Sequence, residues 1–241
     1  MKNSGLRIGE LTRRLTLVIM VMLSAPTFAQ TFADSLISVL KKNNLTETEA
    51  FLTNSKHMNI RPVLYRQILD NYFEYSFEAR TSPGYKICFL SVGDKIIYAK
   101  ILSAKKKKFE EQDTADVKFF YKNYTAFFET KIKPDDFFVD TVQYGRGCGF
   151  AGVDPPLRKK LKTLIAANNT KELGKWLQSP LTEKQLYAVE GFMELEKKGY
   201  KISPFQKKLI DFIKTKKGKV RTCDGCIYSD KEISKIFEGK D

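Results

Sequence analysis

Tyr144 to Pro156 reads YGRGCGFAGVDPP, and the character of the chain changes across it. Ahead of this stretch helical and strand periodicities alternate; behind it the apolar residues recur only at helical spacing. Four glycines surround Cys148, and Pro155-Pro156 closes the run. The reading is an α+β fold in two parts joined by a Gly/Cys hinge. Residues 30–153 form N-terminal helices with a small antiparallel β-meander, and residues 154–241 form an all-α helical-hairpin domain.

Working forward, helix-start signals come in series. Asp154-Pro155 offers an N-cap followed by proline at N1. Asn169-x-x-Glu172, Thr182-x-x-Gln185, Ser203-Pro204-x-Gln206 and Ser229-x-x-Glu232 all read as capping boxes. Gly199 and Gly218 each follow a Lys-Lys pair, as a C′ glycine after cations at the negative helix end should. The apolar positions agree: Leu157, Leu161, Leu164 and Ile165; Leu173, Trp176 and Leu177; Phe205, Leu209, Phe212 and Ile213. Leu186, Ala188, Val189, Phe192, Met193 and Leu195 cover so wide an arc that neighbours must pack on both sides of their helix. Short links make successive helices antiparallel. Tyr187-Ala-Val-Glu-Gly191 has the character of the inner helix of a HEAT-type repeat, and a small bundle packed on the first part is the expected arrangement.

Working backward, Thr31 to Asn43 is an amphipathic helix with Phe32, Leu36, Val39 and Leu40 on one face. Thr46-Glu-Thr-Glu49 predicts a capping box for a short helix through Phe51 and Leu52. Tyr65, Ile68, Leu69 and Tyr72 repeat at helical spacing. Tyr75, Phe77 and Ala79 then alternate with polar residues, Ser82-Pro83-Gly84 turns, and Gly93-Asp94 joins Tyr85–Val92 to Lys95–Ser103 as a hairpin. This predicts three antiparallel strands. Lys105 to Lys108 reads as a solvated linker. The stripe Val117, Phe120, Tyr121, Tyr124, Phe127 and Phe128 is a core helix face, ended by Pro134, and Phe138 to Tyr144 leads on in extended form.

Residues 1–29 have the pattern of a secretory signal. Lys2, Arg7, Arg13 and Arg14 precede the short apolar run Leu15 to Leu23, and Thr27-Phe28-Ala29 supplies small residues for cleavage after Ala29. That run is too short to span a bilayer, which takes ~20 residues, although retention as an uncleaved anchor is the alternative. The chain is therefore expected to be periplasmic or secreted, with no transmembrane span after cleavage. Its formal net charge is +14. Residues 30–153 contribute +3 and residues 154–241 contribute +8. Export takes nucleic acid out of reach, leaving an anionic envelope surface or another envelope protein as the expected partner.

An even count of cysteines in an exported chain points to disulfides. Cys88, Cys148, Cys223 and Cys226 are the candidate disulfide or redox residues. The preferred arrangement links Cys148 to the Cys223/Cys226 pair and leaves Cys88 buried in its strand. Cys223–Cys226 with Cys88–Cys148 and a tetrathiolate zinc site are alternatives. Thioredoxin-type chemistry at Cys223-Asp-Gly-Cys226 needs the first cysteine at a helix N-terminus, and Asp224 beside the sulfur opposes thiolate formation.

Gly147-Cys-Gly149-Phe-Ala-Gly152 matches the letters of a dinucleotide fingerprint, but no βαβ unit surrounds it, so no cofactor is expected. No G-x-S-x-G elbow is present, and the lone His57 rules out two-histidine metal motifs. Asp135-Asp136, beside Pro134, reads as a cap rather than a paired-carboxylate site. A non-enzymatic binding or scaffolding role is the leading expectation, with thiol–disulfide exchange or metal binding through Cys223/Cys226 as the competitor. Tyr144-Gly-x-x-Cys148-Gly-Phe-Ala-Gly152, the helical hairpins and Cys223-Asp-Gly-Cys226-Ile-Tyr228 together resemble a group of uncharacterised exported proteins of Bacteroidota-type bacteria. The resemblance covers roughly the last hundred residues and implies no activity.

Overall fold

The computed structural model describes residues 28–55, 58–103, 106–133, 136–139 and 142–238. Residues 1–27, which hold most of the signal pattern, lie outside this range, as do Lys105, His57, Pro134 and Asp135. The chain is α+β, with two N-terminal helices, an antiparallel sheet and C-terminal helical hairpins. Helices α1 (Phe28–Leu40) and α2 (Leu45–Asn54) lead into five strands: β1 (Ile60–Leu69), β2 (Tyr72–Ala79), β3 (Tyr85–Val92), β4 (Lys95–Ser103) and β5 (Lys106–Gln112). The strands pair in sequence order, each antiparallel to the next. Helix α3 (Thr114–Phe128) and strand β6 (Tyr144–Arg146) follow. Next come α4 (Pro156–Ala166), α5 (Thr170–Leu177), α6 (Thr182–Lys197) and α7 (Pro204–Thr215). Strands β7 (Lys219–Asp224) and β8 (Ile227–Glu232) and a 3-10 turn at Ile233–Ile236 complete it.

Both faces of the large sheet are covered. Tyr75, Ile87, Phe89, Ile96, Ala99 and Ile101 meet Phe32, Leu36, Leu40 and Leu52 of α1 and α2. On the opposite face Cys88, Leu90, Ile97 and Tyr98 join a second core that takes in α3 and the C-terminal helices and ends at Phe237. This second core draws on residues from both sides of residue 153. Burial on both faces explains why KICFLSV is apolar at nearly every position instead of alternating.

Five strands replace the three expected. The helical spacing of Tyr65, Ile68, Leu69 and Tyr72 arises by accident. Leu64, Arg66 and Ile68 alternate inward along β1, a register shift falls between Gln67 and Leu69, and the chain then turns at Asp70, whose φ is 34°. Pro62 is tolerated because β1 is an edge strand. Within the lysine run, residues 106–108 start β5 and are not a linker; lysines suit the opposite edge of the sheet, where they discourage pairing with another chain. Behind α7 the helical hairpins give way to a three-stranded sheet ordered β6-β7-β8, whose middle strand covers Lys219 to Thr222, a stretch the sequence also allows as a short strand. Ser229-x-x-Glu232 accordingly lies in β8 and caps nothing.

Three other caps are displaced. Asn44, not Thr46, caps α2 by accepting from Glu47 N, while Thr46 binds Asp94. Helix α4 opens at Pro156 with Pro155 as its cap, leaving Asp154 free for other work. Thr182 is already inside α6, whose cap is Leu181. Asn169 and Ser203 cap α5 and α7, and Ser203 with Gln206 forms a complete capping box.

The sheet and the C-terminal helices are joined by buried charge. Arg66 on β1 lies directly opposite Glu74 on β2, and its Nε donates to that carboxylate. Its Nη1 donates to both oxygens of Glu183, in the first turn of α6, at 2.8 and 2.7 Å. Glu74 also accepts from Phe138 N at 3.0 Å. Lys216, just past α7, donates to Thr182 Oγ1 and Gln185 Oε1, both at 3.0 Å. Two cations and two carboxylates are therefore enclosed with their partners. Gly218 (φ 107°) brings the following chain against β1 so closely that a side chain there would strike Tyr65 O and Arg66 Cα. Gln67 N donates to Lys217 O at 2.9 Å across the same contact.

Replacing Arg66 by Ala leaves two carboxylates buried without their cation, and urea unfolding should show a loss of about 3–5 kcal/mol. Burial, reinforced by Arg66, pushes Lys216 down to about 7 from an ordinary 10.5. Between these values the unfolded chain binds the extra proton, so stability should rise as pH increases from about 7 toward 10. Lys216→Met should flatten that rise in urea titrations taken across the same range.

Candidate functional site

The structure brings together much of the Tyr144–Pro156 stretch, the start of α4, the middle of α6 and the β7–β8 hairpin. Strand β6 pairs parallel with β7, placing Gly145 opposite Cys223. Only glycine fits there, since an added Cβ would run into the carbonyl oxygen and Sγ of Cys223. Cys148 and Cys223 form a disulfide with Cα atoms 5.5 Å apart, closing 75 residues of chain. Cys88 is buried in the large sheet, within 3.6 Å of Ser76 Oγ, and burial pushes its thiol up to about 11. Cys226 is exposed at the tip of the β7–β8 hairpin. The four sulfurs are not gathered, and no group of three or more His, Cys, Asp or Glu among the described residues is placed to hold a metal. Cys223 lies on a strand, so no helix dipole acts on either cysteine of the C-x-x-C pair.

Behind the disulfide is a polar knot. Glu190 on α6 accepts from Tyr144 OH at 2.8 Å, Arg146 Nη2 at 2.6 Å and Arg158 Nη1 at 2.5 Å. Burial acts to raise the Glu190 carboxyl, but the Arg158 hydrogen bond and charge, aided by Tyr144 and Arg146, hold it below the usual carboxylate range. Arg158 Nε donates to Gly145 O at 2.9 Å, and its guanidinium lies over Tyr187 at 4.8 Å and Tyr144 at 5.5 Å. Gly145 N donates to Tyr187 OH at 2.9 Å. Every polar group of Gly145 is therefore held, and the hinge is fixed to α4 and α6. Burial and then Glu190 raise the Tyr144 hydroxyl well above its ordinary value, in keeping with its hydrogen bond to that carboxylate.

The loop after β6 closes on itself. Cys148 N donates to Val153 O at 2.8 Å, Val153 N to Cys148 O at 3.1 Å, and Gly152 N to Gly149 O at 3.0 Å. Gly147, Gly149 and Gly152 have φ of 51°, 74° and 60°, left-handed values that suit glycine. This is what the G-x-G-x-x-G letters build. Asp154 accepts from Gly147 N at 3.0 Å and pairs with Lys162, so the chain supplies its own anion where a phosphate would otherwise be sought. A cavity of about 360 Å3 opens beside the disulfide, lined in part by Arg146, Thr222, Ile227, Ser229, Lys231 and Lys235.

A second feature lies on the helices. Lys160 and Lys175 approach Glu172 at 3.7 and 3.3 Å. Lys160 and Lys184 stand over the ring of buried Trp176 at 5.7 and 5.6 Å. Burial, and then repulsion from Lys160 and Lys175, lower the Lys184 ammonium despite Glu172. Three cations thus share one carboxylate.

Of these residues, Arg158, Glu190 and Arg66 were not singled out from the sequence. Arg158 is the one arginine in the lysine-rich PLRKKLK, whereas Arg66 and Glu74 share their strands with Arg61, Gln67, Ser76 and Glu78 and carry no distinguishing signal. No helix among the described residues is long and apolar enough to cross a membrane. No protein family, curated protein or solved structure matches the chain. Fold and site define it as an α+β protein whose Gly/Cys loop is tied by a disulfide to the β7–β8 hairpin.

Under native conditions a thiol reagent should modify Cys226 alone, with Cys88 reacting only after unfolding; mass spectrometry of the digested protein checks this. Replacing Cys148 and Cys223 by Ser should lower stability by about 2–4 kcal/mol, given the long loop they close.

Proposed function

We propose that this chain is a non-enzymatic binding or scaffolding module of the cell envelope, exported by its N-terminal segment, that holds an anionic surface through the basic face of its helical part. The carrying observation is a cluster in which Lys160 and Lys175 pair with Glu172 while Lys160 and Lys184 stand over the Trp176 ring. Three positive charges beside one carboxylate leave a net positive surface for an anion. The net charge of +8 on residues 154–241 acts in the same sense over a longer range. Arg158, Tyr144 and Glu190 are saturated by one another, which fits a supporting role better than chemistry on a substrate.

Protein purified from the exported fraction should bind vesicles containing phosphatidylglycerol, and an acidic polysaccharide, with affinity that falls steeply as salt rises. The double variant Lys160→Glu/Lys175→Glu should weaken both by at least about tenfold. Equal binding to neutral and anionic vesicles, or an unaffected charge-reversal variant, would remove the basis of this reading.

A further inference from the structure

Among the described residues six large apolar side chains are exposed; Tyr65 lies on β1 and Phe119 on α3, and the other four gather in one region. Phe150, Val153, Ile227 and Tyr228 are 102%, 50%, 72% and 48% exposed, and all four lie on two neighbouring loops. Phe150 and Val153 belong to the self-closed turn after β6; Ile227 and Tyr228 belong to the tip of the β7–β8 hairpin. The Cys148–Cys223 disulfide joins the two, and Gly149 N donates to Gly225 O at 2.8 Å across the same gap.

These braces matter because a loose loop would fold its phenylalanine back against the protein. Here the turn is tied by its own hydrogen bonds, by Asp154 at its base and by a covalent bond to the hairpin. Phe150 is held away from every surface that would shelter it. The side chains belong to two separate loop tips, one after β6 and one at the β7–β8 turn. A stable protein interface needs about 800 Å2 from each partner, which two tips do not offer, whereas the boundary of a bilayer accepts isolated projecting Phe, Ile and Tyr side chains.

The surroundings fit the same occupant. Ile227 forms part of the wall of the cavity beside the disulfide, with Arg146, Lys231 and Lys235 and the hydroxyl residues Thr222 and Ser229. Asp224 and Glu238 also line it. Arg146 is committed to Glu190, but no ion pair among the described residues engages Lys231 or Lys235. Apolar tips beside free ammonium groups are complementary to the two layers of an anionic membrane surface, acyl chain beneath and phosphate above.

We propose that the disulfide-clamped loops are a membrane-interface anchor. Phe150 and Ile227 enter the boundary of an anionic phospholipid layer, Tyr228 lies at headgroup level, and the cavity with Lys231 and Lys235 receives a lipid phosphate. This rests on the envelope-binding reading above and narrows its partner to lipid.

The test uses the exported protein with phosphatidylglycerol-containing vesicles, phosphatidylcholine vesicles and an acidic polysaccharide. Phe150→Ser and Ile227→Ser together should weaken binding to the anionic vesicles by about tenfold and leave binding to the polysaccharide unchanged. Both positions are exposed, and a retained Cys148–Cys223 link with unchanged urea unfolding verifies the fold. In a second arm, Phe150→Trp should be quenched by lipids brominated along their acyl chains. The wild type should not be, because its single tryptophan, Trp176, is buried. Unquenched Trp at position 150, or loop variants that bind vesicles as the wild type does, overturns the anchor while the basic-surface reading stands. Failure of the wild type to bind either anionic material overturns both. Loop variants that lose affinity for a protein but not for vesicles assign the tips to a protein partner and also overturn the anchor.

Discussion

Arg66 holds a carboxylate from its own sheet and another from the helical part, and all three side chains are buried. Buried ions gain their stability only when every partner is present. Glu74, Glu183, Phe138 and Val139 must therefore all be in place around the guanidinium. That requirement fixes how the C-terminal helices sit on the sheet more narrowly than apolar packing could, since greasy surfaces tolerate sliding and charge pairs do not. Lys216 and Gly218 extend the same constraint along β1, where the backbone after α7 pairs with Arg66 and Gln67.

The clamped loops depend on that placement. Once α6 is set by Glu183, its next two turns present Tyr187 to Gly145 and Glu190 to Tyr144 and Arg146, and Arg158 closes the arrangement from α4. The hinge strand is then positioned beside β7 at a separation only glycine permits, and the disulfide forms where the two chains meet. A chain of contacts runs from the buried arginine to the exposed Phe150. Its far end is rigid because each link is a directed bond and not a surface contact.

Much of this was legible in the residues. The helices of the C-terminal part are visible because their apolar stripes recur over two or three turns and because Asn169 and Ser203 cap them locally. Cys148 and the Cys223/Cys226 pair stood out as linked partners by their glycine-rich setting. Strands were harder. Tyr65, Ile68, Leu69 and Tyr72 imitate a helix because a register shift and a turn interrupt the alternation of β1, and a strand buried on both faces carries no alternation to find. The lysines of β5 looked like linker because an edge strand is chosen for solvation as much as for pairing. Ser229-x-x-Glu232 imitates a cap because two polar residues at that spacing also suit an exposed strand.

The sequence by itself determined what short-range physics controls: helix phase, two of the caps, the glycines that take left-handed backbone, and an excess of positive charge behind residue 153. Tertiary structure alone decided which cysteine of the C-x-x-C pair meets Cys148. It also decided that Arg66, Glu74, Glu183 and Lys216 share one enclosure, and that four exposed apolar side chains sit on two loops joined by the disulfide. Those outcomes depend on contacts between residues as far apart as Arg66 and Glu183, or Cys148 and Cys223. Periodicity along a chain carries no information about such distances; only the folded path brings the partners within bonding range.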